Sequence, residues 1–292
     1  VISFWEKLDC PKKFNLIELG AGNGEMMRVL VHTFNKFPKF NNSCKINILE
    51  KSKLLQQTQK ANIKDANIKW LNSLNELNNF PCIFIANEFF DALPIKQFLK
   101  KEKKWYERYV KFTHDKKLEY LDIPFDMQKF EKKIKFKISY NQKFIEYSPL
   151  TTKYLKTMIK KIEINNGGIL IIDYAYLKKE MTNTLQAVSK HKYCDVLQGF
   201  RNSDITYNLS FNLINKIIKK SGTCSSLSTT QKKFLTKLGI LDRAEILSKN
   251  MPFSKKADIY FRIKRLIDEN QMGHLFKVML ITNHKNKFKL GF

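Results

Sequence analysis

The stretch Phe14–Glu25, FNLIELGAGNGE, decides the fold. Phe14, Leu16, Ile17 and Leu19 form a short apolar run suited to a buried strand, and the residues from Glu25 onward, EMMRVLVHTF, have the spacing of a helix. Gly20, Gly22 and Gly24 therefore occupy a strand-to-helix turn, where the backbone takes positive φ and a ligand approaches without a Cβ in the way. The glycine spacing discriminates between ligands. A dinucleotide fingerprint, G-x-G-x-x-G, needs its third glycine at the position held by Glu25, whereas Gly20-Ala21-Gly22-Asn23-Gly24 is G-x-G-x-G. Glu18, two residues before the first glycine, stands where a carboxylate can accept a hydrogen bond from a ligand's ammonium group. Acid-x-G-x-G-x-G suits S-adenosylmethionine, which has an amino-acid end and no pyrophosphate. The plainer alternative is a glycine-rich turn with no ligand.

Outward from this stretch the strand–helix rhythm repeats, as in a parallel α/β sheet. Lys45–Leu49, KINIL, predicts a second strand, closed by Glu50 and followed by the helical KSKLLQQTQKA. Glu50, 30 positions beyond Gly20, can hold both hydroxyls of a ribose, because one carboxylate has two acceptor oxygens. Its alternative reading is a solvated acid at a strand end. Ile68–Leu71 predicts a weak third strand and Cys82–Ala86, CIFIA, a strong fourth, which runs into Asn87-Glu88-Phe89-Phe90-Asp91-Ala92-Leu93-Pro94. Ligands of open parallel sheets sit beyond the carboxyl ends of the strands, so Glu88 and Asp91 are candidate acceptor groups. A guanidinium, with its planar fork of donors, matches such a pair, and carboxylates that grip it both orient it and favour loss of its proton. Alternatively, Asp91 caps a helix begun by Ala92, and Glu88 is simply exposed.

Farther along, WYERYVKF and KKLEYLDI predict a hairpin around Thr113–Lys116, and Lys143–Tyr147 another strand, together a β-rich insertion at about 100–147. A helix over Leu150–Ile162 leads to GGILIIDYAY, a fifth strand preceded by Gly167-Gly168 as a turn. Thr184–Asp195 and Asp204–Phe211 bracket a polar loop in which His191, Asp195 and Asp204 are the acid–base candidates. Phe211–Lys220 predicts an amphipathic helix, Thr223–Leu227 a strand, Thr229–Ser248 and Ser254–Asp268 a helical insertion at about 229–270, and Leu275–Thr282 a final strand. No repeat or linker marks an internal boundary, so residues 1–292 read as a single domain with insertions.

The formal net charge of +26 comes almost wholly from lysine scattered over every segment, alongside abundant asparagine, isoleucine and phenylalanine, which argues against a purposeful nucleic-acid surface. Five widely spaced cysteines contain no C-x-x-C pair, and no metal-ligand set is expected. No apolar run approaches the roughly 18 residues of a membrane span, and VISFWEKLDC lacks a signal-peptide pattern. These features predict a soluble protein of a reducing compartment. The chain reaches its glycine turn soon after Val1, and an upstream segment is expected.

Taken together, IELGAGNGEMM, ANEFFDALPIKQF, W-x-E-R-x-V at Trp105–Val110, E-x-S-P at Glu146–Pro149, GGILIIDYAY, TLQAV-x-x-H-K-Y-x-DVL, SDIT, TQKKFLTKLGI with Arg243, and MGHLFKVMLIT run in order along the whole chain. In these stretches the sequence resembles the mitochondrial complex I assembly-factor methyltransferases and their bacterial relatives, the MidA group. The resemblance implies a class I methyltransferase, a Rossmann-like α/β fold with a seven-strand sheet, the final strand antiparallel, and family-specific insertions. It also implies S-adenosylmethionine as cofactor, with Glu18, Gly20, Gly22, Gly24 and Glu50 holding it. Glu88 and Asp91 would face the acceptor, an arginine of a protein substrate, namely a respiratory complex I subunit. The compartment implied is the bacterial cytoplasm or, alternatively, the mitochondrial matrix. A non-catalytic assembly chaperone and an RNA methyltransferase are the alternative functions. The second is disfavoured because Glu88-Phe89-Phe90 places a charge where a neutral base would have to sit. The chain departs from the family in two inner stretches: a loop that usually contains Pro-Gly reads Gln198–Ser203, and the usual V-D-F reads Leu209-Ser210-Phe211.

Overall fold

The computed structural model describes residues 1–64, 67–190, 192–198 and 202–292. The chain divides into two compact units: Val1–Phe89, Leu155–Tyr174 and Ile217–Phe292 form the first, and Phe90–Tyr154 and Ala175–Lys216 the second. These bounds differ from those of the insertions expected at about 100–147 and 229–270.

The first unit is built on seven strands: β1 (Phe14–Leu19), β2 (Cys44–Leu49), β3 (Lys69–Leu71), β4 (Cys82–Asn87), β5 (Gly167–Tyr176), β6 (Cys224–Thr230) and β7 (Phe276–Asn283). Their order across the sheet is β6-β7-β5-β4-β1-β2-β3. The five strands from β5 to β3 are parallel, and β7 runs antiparallel to both its neighbours. This is the architecture expected from the sequence. Continuous apolar runs are what a parallel sheet covered on both faces requires. Phe14, Leu16, Ile17 and Leu19 of β1, Phe84 of β4, Ile169 and Ile171 of β5, and Val278 and Ile281 of β7 are all fully buried.

Register explains what this sheet presents. Leu19 of β1 lies beside Leu49 of β2 and Ala86 of β4, so Gly20 and Glu50 leave the sheet at one end, where Asn87 is the last residue of β4. The chain winds outward from β1 through β2 to β3 and then returns to β4 on the other side of β1. Such a reversal opens the crevice in which α/β sheets bind their ligands.

Three local expectations change. Gly167 and Gly168 begin β5 rather than forming a turn before it. Gly167 has φ +129°, and a Cβ there would lie 1.9 Å from the carbonyl oxygen of Cys82, so the close approach of β4 demands glycine. The helix expected over Thr229–Ser248 is two helices, Gln231–Lys237 and Ile240–Ser248, because β6 extends to Thr230 and Gly239 breaks the run at φ +78°. No helix begins at Ala92. Asp91 and Ala92 form a turn that leads into the strand Lys96–Lys101.

The second unit holds an antiparallel sheet in the order Leu118–Phe125, Lys104–Phe112, Lys96–Lys101, Phe144–Tyr147, which includes the expected hairpin. The segment read as a polar loop contributes a small sheet, with Gln186–Ser189 between Lys192–Cys194 and Asp204–Thr206. The end of β5 also lies in this unit, where Ala175 and Tyr176 pair with Leu209 and Ser210.

Candidate cofactor and acceptor site

The glycine turn is fastened by its own backbone and by its neighbours. Gly20 N donates to Leu49 O at 3.0 Å, tying the turn to the end of β2, and Gly24 N donates to Ala21 O at 2.7 Å. All three glycines have positive φ, at +65°, +51° and +82°, which L side chains rarely adopt. Their surroundings differ. A Cβ on Gly20 would meet the Phe89 ring at 2.7 Å, and one on Gly24 would press on Ile63 at 3.1 Å. A Cβ on Gly22 would meet nothing within 4 Å. Gly22 is thus the position where the backbone lies bare towards open space, as a ligand cradle requires.

Glu18 lies within β1 and is 3% exposed, and its Oε2 atom has no hydrogen-bond partner. Burial pushes its carboxyl up to about 7. A buried carboxylate oxygen left without a donor is costly, and an incoming ammonium group would supply one. Glu50, at the end of β2, is half-buried. Its Oε1 accepts from Ser52 N at 2.9 Å and its Oε2 from Gln59 Nε2 at 3.2 Å. The same Gln59 amide donates to Gly22 O at 2.9 Å. Asn62, one turn farther along that helix (Lys53–Ile63), donates to Asn23 O at 2.9 Å. The structure therefore brings Gly20, Gly22, Gly24 and Glu50 into one hydrogen-bonded frame at the sheet edge, with Glu18 in the strand that feeds it.

Glu88 belongs to the first unit. It follows β4, donates its backbone N–H to Ile172 O at 2.9 Å, and holds a positive φ of +48°, an uncommon conformation for a residue with a Cβ. Its side chain is exposed and accepts from Asn87 Nδ2 at 3.4 Å. Phe89, packed on Gly20, brings this Asn-Glu-Phe segment against the glycine turn. Asp91 belongs to the second unit, is 4% exposed, and accepts from Tyr207 N through its backbone carbonyl at 3.2 Å.

Sequence reasoning missed Gln59 and Asn62, because a polar residue on a helix carries no sign of which turn it will meet. The acid–base candidates of the polar segment resolve otherwise. Asp195 accepts from Leu197 N and Gln198 N at 2.8 and 2.9 Å, a local turn, and His191 lies outside the described residues, as do Gly199, Phe200 and Arg201 of the divergent loop. Ser210, at the position where the resemblance implies an acid, accepts from Leu213 N at 3.3 Å at the start of the helix Phe211–Lys219.

The fold is that of class I methyltransferases. A solved structure from Burkholderia thailandensis, bound to S-adenosyl-homocysteine, superimposes with a TM-score of 0.79 at 22% identity, covering 99% of this chain and 76% of that one. The chain belongs to the family described as "Putative S-adenosyl-L-methionine-dependent methyltransferase", which matches residues 1–230. Among named relatives, "Protein arginine methyltransferase NDUFAF7, mitochondrial" of Xenopus laevis is 25% identical, covering 99% of this chain and 72% of the relative. The Homo sapiens protein of the same name is 23% identical, over 97% of this chain and 69% of its own length. S-adenosylmethionine is the cofactor of this family. The residues present fit it: an acceptor without a donor at Glu18, a bare backbone at Gly22, and a carboxylate with acceptor capacity at Glu50.

Proposed function

We propose that this protein methylates an arginine of a protein substrate, with Glu18, Gly20, Gly22, Gly24 and Glu50 holding S-adenosylmethionine and Glu88 and Asp91 receiving the guanidinium. The observation that carries this reading is the packing of Phe89 on Gly20, which sets Glu88, in a strained conformation, beside the turn suited to the cofactor. Glu18 accepts from the cofactor's ammonium group, and Glu50 takes the ribose hydroxyls. When bound, the cofactor supplies a sulfonium methyl group and leaves as a thioether. Glu88 and Asp91 would orient the acceptor nitrogen towards the methyl group that the cofactor would supply, and a carboxylate would take the proton that the nitrogen loses. The names of the relatives support arginine as the acceptor. The resemblance to complex I assembly factors supports a subunit of that complex as the substrate. The mitochondrial relatives favour the matrix over a bacterial cytoplasm as its compartment.

The test is transfer of an isotopically labelled methyl group from S-adenosylmethionine to purified complex I subunits, with the modified residue mapped by mass spectrometry. Label on arginine is expected. Cofactor binding without transfer to any subunit would favour an assembly chaperone, and label on another residue type would overturn the guanidinium assignment.

A further inference from the structure

Gln59 is fully buried, at 0% exposure, on a helix whose polar residues otherwise face solvent or its edges. Burying an amide costs free energy unless its hydrogen-bonding groups are satisfied. Here each is used: Nε2 donates to Gly22 O at 2.9 Å and to Glu50 Oε2 at 3.2 Å, and Oε1 accepts from Trp70 Nε1 at 2.8 Å. One side chain thus joins the turn after β1, the acid after β2 and the indole of β3. The helix is set close to the turn, since a Cβ on Gly24 would lie 3.3 Å from Gln59 Cγ.

We infer that Gln59 is the positioning residue of the cofactor seat, fixing the Glu50 carboxylate and the Gly22 backbone in one frame. This rests on the proposed role of Glu50 as the ribose acceptor. A carboxylate has about four acceptor positions, two on each oxygen. Ser52 N takes one on Oε1 and Gln59 takes one on Oε2, which leaves one on each oxygen for a pair of neighbouring hydroxyls. A neutral amide does this without cancelling the charge on Glu50, whereas a lysine or arginine in its place would compete with the hydroxyls for the same lone pairs. Trp70 holds the amide in this orientation, because reversing it would set the amide oxygen against both Gly22 O and Glu50 Oε2 and turn its donors towards another donor.

The test is a double-mutant cycle on S-adenosylmethionine affinity, read by calorimetry on the full chain, with thermal melts run alongside. Gln59→Met removes every bond at similar volume, and Gln59→Glu keeps the acceptor for Trp70 while removing the donors. Each single variant is expected to lose affinity about tenfold, the scale of a hydrogen bond to a charged group. Combined with Glu50→Ala, the losses should not multiply, since Gln59 acts largely through Glu50. Losses that multiply, or Gln59 variants that bind like the parent while Glu50→Ala is weakened, would overturn the positioning role. A silent Glu50→Ala would instead overturn the ribose assignment on which it rests. Should Gln59→Met fail to fold, Gln59→Leu, which likewise removes the bonds without adding a charge, carries the same cycle.

Discussion

Glu18 of the first unit and Glu146 of the second are both almost completely buried, and the two are treated in opposite ways. Glu18, in β1 of the first unit, is 3% exposed and keeps one oxygen without a donor. Glu146, in the strand Phe144–Tyr147 of the second unit, is 4% exposed and saturated. It accepts from Gln97 Nε2 at 2.9 Å, Thr184 N at 3.0 Å, Leu185 N at 3.2 Å and the Thr184 hydroxyl. Burial raises the carboxyl of both, but at Glu146 these hydrogen bonds oppose the rise, whereas at Glu18 burial acts alone and takes it to about 7. A buried acid whose acceptors are filled from within serves the fold, while one left with a vacant acceptor is a place for a ligand. Burial alone does not separate the two roles.

The largest effect that can break this comparison falls on the saturated acid. Glu146→Ala strands Thr184 N and Leu185 N and leaves the Gln97 amide only its bond to Asn183, so most of the link between the antiparallel sheet and the 183–185 segment is lost. A loss of about 3 kcal/mol or more in unfolding free energy is expected, with S-adenosylmethionine affinity retained by whatever fraction folds. Denaturant titration of the variant checks this, and a protein of parental stability would show that the hydrogen bonds of Glu146 do not hold the unit together.

Next come Glu88 and Asp91, the carboxylates proposed to receive the acceptor. Glu88→Gln and Asp91→Asn keep volume while removing charge, so turnover should fall on the order of a hundredfold or more with near-parental cofactor affinity. The alternative in which Asp91 merely caps a helix has lost its support, since the segment from Asp91 is a turn. Parental methylation rates in both variants would remove these residues from the acceptor role.

Glu18 gives a smaller effect with a pH signature. In the ligand-free protein its carboxyl holds a proton up to about pH 7, whereas an ordinary glutamate releases it near 4.5. The stability this confers is present below that ordinary value and is lost as pH rises through 7. Binding an ammonium group requires the ionised form, so S-adenosylmethionine should bind several-fold more tightly at pH 7.5 than at pH 6, as expected for a group titrating across that interval. Glu18→Gln should bind about tenfold more weakly at pH 7.5 and lose most of that pH dependence. Calorimetry at the two pH values decides this, and an unaltered pH profile in the variant would sink the assignment.

How much of this could be read from the chain follows from how local each feature is. The β1 turn was legible because a strand, three glycines and an acid lie within 12 residues, and their chemistry depends on that spacing. The repetition of apolar runs marked the strands of a parallel sheet, whereas their order is set by pairings between distant segments that no single run records. The Gly167-Gly168 pair was misread because the same dipeptide serves a turn or a close strand approach, and only β4 decides between them. The small sheet over Gln186–Thr206 went unseen because its strands are three or four residues long and mostly polar. Gln59 and Glu146 are defined by partners 37 to 49 residues away in sequence, at Gly22, Gln97 and Leu185. No local pattern carries such information, although E-x-S-P marked Glu146 as a family position.

The smallest expected effect concerns Ser210, and it sharpens the distinction between acids of the fold and acids of the site. The resemblance to the family implies an acid where this chain has Ser210, which invites the conclusion that a catalytic group has been lost. The structure points to a different role for the position. Ser210 is buried, and its hydroxyl accepts from Leu213 N at 3.3 Å, capping the helix Phe211–Lys219. Serine and aspartate cap helices about equally well, so one can replace the other at little cost, whereas alanine satisfies no N–H. Ser210→Asp should therefore change stability by less than about 0.5 kcal/mol and leave methyl transfer at the parental rate, while Ser210→Ala should cost about 1 kcal/mol. Paired thermal melts and rate measurements on the two variants decide the matter. A gain in turnover in Ser210→Asp would place this position with Glu18 and Glu88, among the groups proposed to meet a ligand, and a silent aspartate would place it with Glu146, among those that fill hydrogen bonds within the fold.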